Sequence, residues 1–230
     1  MNPHPIQISP SLMCVDFLHL EQEIRTLEKY GTNWLHIDVM DGHYVPNFAL
    51  GIDFCRALAT TTHIPFDVHL MVEHPERHIE PFAELPNARL TFHPETVRQP
   101  IRLIEHIREL GASPGVALDP AQPVEQFRHL LPLVDQVVIM TVNPGYAGQK
   151  LLPHCLTKIA EVRDWIQQES LSVDIEVDGN VSWKNIPRMV EAGAEILVVG
   201  TSALFEKHRS RDESFRELRS LVDQLETQKV

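Results

Sequence analysis

The feature that most restricts this chain is a rhythm. Eight short runs rich in Val, Ile, Leu and Phe recur along it: Ile6–Ser9, Trp34–Val39, Phe66–Leu70, Arg89–Phe92, Gly115–Leu118, Gln136–Met140, Val173–Val177 and Ile196–Val199. Runs of that length and composition read as buried strands. Between them lie amphipathic stretches. Phe17, Leu20, Ile24 and Leu27 fall on a helical repeat and predict a helix over Phe17–Tyr30. The same pattern predicts helices over Ile52–Ala59, Pro75–Glu84, Gln99–Leu110, Pro123–Leu131, His154–Glu169, Ser182–Glu191 and Asp212–Glu226. Gly31, Gly111 and Gly193 each follow a helical run, where a left-handed cap favours glycine. Strand and helix alternate through all 230 residues with no linker and no break in composition. The prediction is one (β/α)8 TIM barrel spanning residues 1–230. An open doubly wound sheet is the alternative. It would normally carry a glycine fingerprint after its first strand, and here that strand runs into Ser9-Pro10-Ser11-Leu12-Met13.

A formal net charge of −12 argues against a nucleic-acid partner, which needs a basic surface. It leaves room for a small phosphorylated ligand in a local pocket. No run of about 18 apolar residues occurs, so no membrane span is expected. Met1 to Ser9 shows neither a basic segment nor an apolar one of the kind a secretory signal carries. Cys14, Cys55 and Cys155 are few, odd in number and far apart, which fits reduced thiols in a cytoplasmic protein.

Barrel chemistry sits at the C-terminal ends of the strands. Listed by strand, those ends are unusually polar. The second carries His36 and Asp38, two apart and therefore on one face. The third ends in His69, the fourth in His93 and the seventh in Asp178. His36, Asp38, His69 and Asp178 offer two imidazoles and two carboxylates, a set that suits Zn²⁺, Mn²⁺, Fe²⁺ or Co²⁺. The alternative is that the histidines are hydrogen-bonded core residues and Asp38 a cap or turn. Asp67 reads either as support for such a site or as a buried carboxylate one layer below. His43, His74, His78, His106, His129 and His208 read as surface or helix residues.

Gly145 and Gly148, Gly179, and Gly200-Thr201-Ser202 lie in loops that can converge on a phosphate through backbone N–H groups. Thr201 and Ser202 can also cap a following helix. Met13, Met40, Met71 and Met140 each end a strand. They suggest an apolar, adaptable floor that keeps water from a reactive intermediate.

With those residues set out, the chain resembles the ribulose-phosphate 3-epimerase family over nearly its whole length. The motifs are SPSLM (Ser9–Met13), HIDVMDGHYVPN (His36–Asn47), DVHLM (Asp67–Met71), VNPGYAGQ (Val142–Gln149), EVDGN (Glu176–Asn180) and VGTS (Val199–Ser202). The resemblance implies a barrel of the ribulose-phosphate-binding type and a C3 epimerase with one divalent ion per subunit. His36, Asp38, His69 and Asp178 match the family's metal ligands, and Asp38 and Asp178 its two acid/base residues. Ser11, His69, the loop Gly145-Tyr146-Ala147-Gly148, the turn Asp178-Gly179-Asn180 and Gly200-Thr201-Ser202 match its substrate contacts. A homo-oligomer, dimer or hexamer, is implied in the same way. Met13-Cys14, His93-Pro94-Glu95-Thr96, Thr141, Ala147 and Gly200–Phe205 look more like the allulose-6-phosphate branch than the ribulose-5-phosphate one. Asn180 departs from the glycine usual in the pentulose enzymes.

Overall fold

The computed structural model describes residues 5–228; Met1 to His4, the start of the N-terminal stretch read above, lie outside them. Eight strands form one parallel sheet: β1 Gln7–Pro10, β2 Leu35–Met40, β3 Phe66–Met71, β4 Arg89–Phe92, β5 Ser113–Leu118, β6 Gln136–Met140, β7 Asp174–Asp178 and β8 Ile196–Val199. They are the predicted eight, with ends moved by a residue or two. β8 pairs with β1, and the remaining strands follow in order round to β2. Between β1 and β2 closure is looser. It rests on a Ser11–His36 bridge and on the amides of Asn33 and Trp34, which donate to Ile8 O at 3.1 and 3.3 Å. The result is the (β/α)8 barrel that the alternation predicted.

Seven α-helices surround it among the described residues: α1 Leu20–Lys29, α2 Ile52–Ala59, α3 Ile79–Ala83, α4 Pro100–Glu109, α5 His154–Gln168, α6 Ile186–Ala192 and α7 Arg211–Gln228. The predicted Pro123–Leu131 helix is replaced by two short 3-10 turns, Val124–Phe127 and Leu131–Leu133. Pro132 falls inside the second turn, where its missing N–H bars an α-helical continuation. The predicted Phe17–Tyr30 helix begins late, because Asp16 accepts the Leu18 amide at 3.0 Å and sets up a tight 3-10 turn. Phe17 therefore does not join the buried helical face. It is 52% exposed and packs edge-on against Phe54. The predicted Pro75–Glu84 helix likewise splits into a 3-10 turn, Pro75–Arg77, and α3.

The apolar core lies between sheet and helices. Outward-facing strand residues such as Ile37, Val68, Leu90, Val137, Val177 and Leu197 are fully buried there, against Ile24 and Leu27 of α1 and Ile159 and Val162 of α5. Burying a side chain of this size contributes about 1.5–3 kcal/mol. The barrel interior is different. Polar residues occupy it in layers, and those layers make the site. No helix among the described residues is long and apolar enough to cross a membrane.

Candidate active site

The parallel register of β2 and β3 pairs His36 with Asp67, Asp38 with His69 and Met40 with Met71. Alternate residues share a face, so these pairs stack as three rungs inside the barrel. β7 adds Glu176 and Asp178, with Asp178 in register with Met140 of β6. The rungs run from a buried acid–histidine layer, through a second one, to methionine at the mouth.

At the middle rung, Asp38 and His69 meet Asp178 of β7 and the Nε2 of His36 from the rung below, which brings together the four residues grouped from sequence. His36 Nε2 lies 3.4 Å from Asp38 Oδ1 and 3.9 Å from Asp178 Oδ2. His69 Nδ1 lies 3.7 Å from each of the same two oxygens. Both rings are fully buried, and neither of these nitrogens has a hydrogen-bond partner among the described residues. Such orphans are rare in folded proteins. Two of them aimed between two carboxylates suit a divalent cation as partner. Four donors about 2.0–2.2 Å from an ion at a tetrahedron's centre stand about 3.3–3.6 Å apart. The donor set fits a divalent ion in chemistry and in spacing. The reading of His36 and His69 as ordinary satisfied core histidines does not match these orphans.

One layer down, His36 Nδ1 donates to Asp67 Oδ2 at 2.7 Å and stands 3.0 Å from Glu176 Oε1. Asp67 also accepts from Ser9 Oγ at 3.3 Å and Gln136 Nε2 at 3.1 Å. Gln136 in turn accepts from Arg89, which pairs with Asp174 at 2.9 Å and stacks over Trp34. Asp67 is a buried carboxylate of the layer below, as one of the two sequence readings had it, and its hydrogen bond fixes the His36 ring. Gln136 and Glu176 were not singled out from sequence. Each is a polar residue inside an otherwise apolar strand, and Glu176 also opens the EVDGN motif.

Burial acts on both mouth aspartates alike, but their neighbours divide them. Burial favours the neutral form of Asp38, yet the neighbouring His36 and His69 outweigh it and hold this carboxyl well below the usual range. Asp178 is pushed up to about 7, by burial first and then by the charge of Asp38. Burial works to lower the His36 imidazole, but Asp38 and Asp67 outweigh it and raise it. Glu176 is raised well above its ordinary value by burial and by Asp67. Ser11 Oγ donates to Asp38 Oδ2 at 2.7 Å, so Asp38 keeps its other oxygen towards the histidines.

Above the cluster opens a cleft of about 520 Å³, continuous with solvent. Met13, Met40, Met71 and Met140 all line it, as do Ser11, Gly145, Tyr146, Ala147, Gly148, Gly179, Gly200 and Thr201. Cys14 lines it too and was not foreseen as a site residue. Asn180 and Ser202 lie just outside the lining, joined by Asn180 Nδ2 to Ser202 Oγ at 3.3 Å. Asn180 sits at φ 47°, in the left-handed region that asparagine tolerates better than most residues. Gly179 has φ 110°, and a Cβ there would meet Val142 Cγ2 at 2.5 Å. Thr201 and Ser202 cap no helix. They sit in a run of turns, and α7 begins only at Arg211. Asn47 Nδ2 donates to Gly145 O at 2.8 Å and Tyr146 donates to Pro46 O, which ties the β6 loop to the β2 loop. His43, His74, His78, His129 and His208 are exposed and His106 half-buried, as read from sequence.

A parallel barrel with imidazoles and carboxyls gathered under a glycine-lined cleft defines a class: (β/α)8 barrels with their polar site at the C-terminal mouth. The comparisons narrow it. The ribulose-phosphate 3 epimerase family model matches residues 7–205. Ribulose-phosphate 3-epimerase of Treponema pallidum is 42% identical over 85% of this chain and 89% of its own length. The Bacillus subtilis protein of the same name is 40% identical over 90% of this chain and 95% of its own. The chain belongs to the ribulose-phosphate 3 epimerase family, and its enzyme class is that of the carbohydrate-phosphate epimerases, which are isomerases. Solved structures agree on fold alone. DAHP synthase of Thermotoga maritima superposes with a TM-score of 0.65 at 13% identity over 97% of this chain and 71% of that one. Phosphoribosylanthranilate isomerase of the same organism gives 0.65 at 10%, over 95% and 98%.

Proposed function

We propose that the protein is a metal-dependent C3 epimerase of a ketose phosphate, working by proton transfer between Asp38 and Asp178. One observation carries this reading: the buried Asp38 carboxyl and the half-buried Asp178 carboxyl flank two partnerless imidazole nitrogens. His36, Asp38, His69 and Asp178 would hold one divalent ion, Zn²⁺, Mn²⁺, Fe²⁺ or Co²⁺. Such an ion supplies Lewis acidity that makes a proton beside a carbonyl removable near neutral pH. Asp38, held ionised, takes the C3 proton from one face of the sugar. The electron pair left behind spreads onto C2 and its oxygen as a planar enediolate. Asp178, whose carboxyl has the higher proton affinity of the two, returns a proton to C3 from the opposite face, and the configuration inverts. Asp38 is then the acid and Asp178 the base for the reverse direction. Ser11 keeps Asp38 aimed, and the four methionines keep bulk water off the plane. Backbone N–H groups of Gly145–Gly148, Gly179–Asn180 and Gly200–Ser202 would receive the phosphate. The whole chain acts as one catalytic domain, in a homo-oligomer, with neither a nucleic acid nor a membrane as partner.

For the substrate, D-allulose 6-phosphate, converted to D-fructose 6-phosphate, is the first choice. Met13-Cys14, His93–Thr96, Thr141, Ala147 and Gly200–Phe205 support it through their likeness to that branch. D-ribulose 5-phosphate, converted to D-xylulose 5-phosphate, is the second reading, supported by the names of the relatives. Kinetics on the two sugars side by side, with metal-loaded and chelated enzyme, test both. A hexulose preference lost on chelation is expected. A pentulose preference would keep the mechanism and change the substrate. Equal activity without metal would overturn the ligand set.

A further inference from the structure

His69 turns one ring nitrogen to the cation donors and the other away. That second nitrogen, Nε2, lies 2.9 Å from Nε2 of His93 at the end of β4. Both rings are fully buried, with their planes 26° apart. Only one hydrogen fits between two imidazole nitrogens, so one ring donates and the other accepts. The contact by itself does not choose between them.

The far side of His93 does. Its Nδ1 stands 2.8 Å from Tyr44 Oη and 3.4 Å from Glu95 Oε1. Tyr44 Oη donates to Glu95 Oε1 at 2.9 Å. A carboxylate has no hydrogen to give. The single phenolic hydrogen is committed to it, so Tyr44 accepts and His93 carries its hydrogen on Nδ1. A neutral His93 then has a bare Nε2 and accepts the hydrogen on His69 Nε2. His69 is left with a bare Nδ1, the partnerless atom that faces Asp38 and Asp178. Every donor in the series points one way, towards the Glu95 anion.

The two loops that supply this series are themselves fastened. Asp41 accepts the amides of His43, Tyr44 and Glu73 at 2.8, 3.1 and 2.8 Å, which pins the loop bearing Tyr44 to the end of β3. Glu95 sits on a 3-10 turn closed by the Thr96 hydroxyl on His93 O at 2.7 Å. Neither Tyr44 nor Glu95 lines the cleft.

We infer that Tyr44 and Glu95 are positioning residues for the cation site. Acting through His93, they lock the tautomer of His69 whose Nδ1 is free to bind a divalent ion. The inference rests on the cation-site reading above, and its test separates the two.

The test is direct observation of the ring hydrogens together with metal affinity. Long-range proton–nitrogen correlation on metal-depleted, full-length protein with ¹⁵N-labelled histidine reads each tautomer. His93 is expected as the Nδ1–H form and His69 as the Nε2–H form. Co²⁺ titration followed by visible absorption then compares Tyr44→Phe, Glu95→Gln, the double variant and His69→Ala with the parent. Outer partners of a metal-binding histidine are worth about 10–100-fold in affinity. Each single variant is expected to weaken Co²⁺ binding about tenfold, and the double variant no further, because both break one series. Opposite tautomers, or variant affinities within twofold of the parent while His69→Ala abolishes binding, would overturn the inference and leave the cation site standing. Unchanged Co²⁺ binding by His69→Ala would overturn the cation-site reading, and this inference with it. A circular dichroism spectrum and melting temperature for each variant exclude misfolding as the cause of a lost site.

Discussion

Asp38 and Asp178 reach the same atom: each carboxylate stands 3.7 Å from Nδ1 of His69, although their strands, β2 and β7, are not neighbours in the sheet. One is held ionised and the other is pushed up to about 7. An inverting proton transfer needs an acid and a base on opposite faces of a plane. Asp38→Asn and Asp178→Asn should each lower kcat by about 10³-fold or more, with circular dichroism and melting unchanged in kind. General acid–base groups contribute about 10²–10⁴-fold. Epimerisation at C3 and exchange of the C3 hydrogen with deuterated water are the measurements. Retained epimerisation in either variant would remove that residue from the mechanism.

The raised Asp178 also makes a prediction about stability without metal. A carboxyl whose proton is held more tightly in the folded state favours folding at low pH. That contribution is whole below the unfolded value, about 4, and is lost as pH rises through about 7. The interval corresponds to at most about 4 kcal/mol. Asp178→Asn has no such proton to lose. Its stability advantage over the parent in denaturant melts of chelated protein should therefore grow between pH 4 and pH 7 and level off above. A gap that stayed constant with pH would mean that Asp178 titrates normally.

Metal removal should abolish activity, and Zn²⁺, Mn²⁺, Fe²⁺ or Co²⁺ should restore it to different extents. Because Asp38 and Asp67 together raise the His36 imidazole against the pull of burial, an incoming ion must displace a proton there. Affinity for Zn²⁺ measured by competition with a chromophoric chelator should fall as pH falls from 8 to 6, with proton uptake on metal release. Metal-independent turnover would contradict the role given to the two imidazoles.

Gly179→Ala tests the phosphate loop. The new methyl would strike Val142 at 2.5 Å in a backbone conformation, φ 110°, that alanine avoids. The turn must shift, so KM for the phosphorylated sugar should rise about tenfold or more while metal affinity holds. An unchanged KM would place the phosphate elsewhere.

Lys158 predicts an effect on stability alone. Its ammonium, 6% exposed, donates to the carbonyls of Asp119, Pro120 and Gln122 at 2.7, 3.1 and 2.6 Å, which fastens the β5 loop to α5. Lys158→Met would remove three charge-assisted hydrogen bonds, leaving Asp119 O with the Gln122 amide and Pro120 O with His154, and should cost about 2–4 kcal/mol in chemical denaturation. A loss under about 0.5 kcal/mol would show that water replaces the ammonium there.

The sequence by itself determined the barrel and the four-residue cluster. Strand periodicity is a local property. Eight apolar runs at helical intervals leave a chain of this length few other ways to bury both faces of its strands. Alternation along β2, β3 and β7 then forces His36 and Asp38, His69, and Asp178 to the inside together. Tertiary structure alone decided the rest. Nothing in the order of residues says that Tyr44 meets His93 across two loops, or that Glu95 ends the series that sets the His69 tautomer. Those contacts depend on how loops from different strands close over one another. The unlike proton affinities of Asp38 and Asp178 are hidden from sequence for a related reason. They arise from burial and from distances to charges on other strands, and neither quantity exists until the barrel has closed.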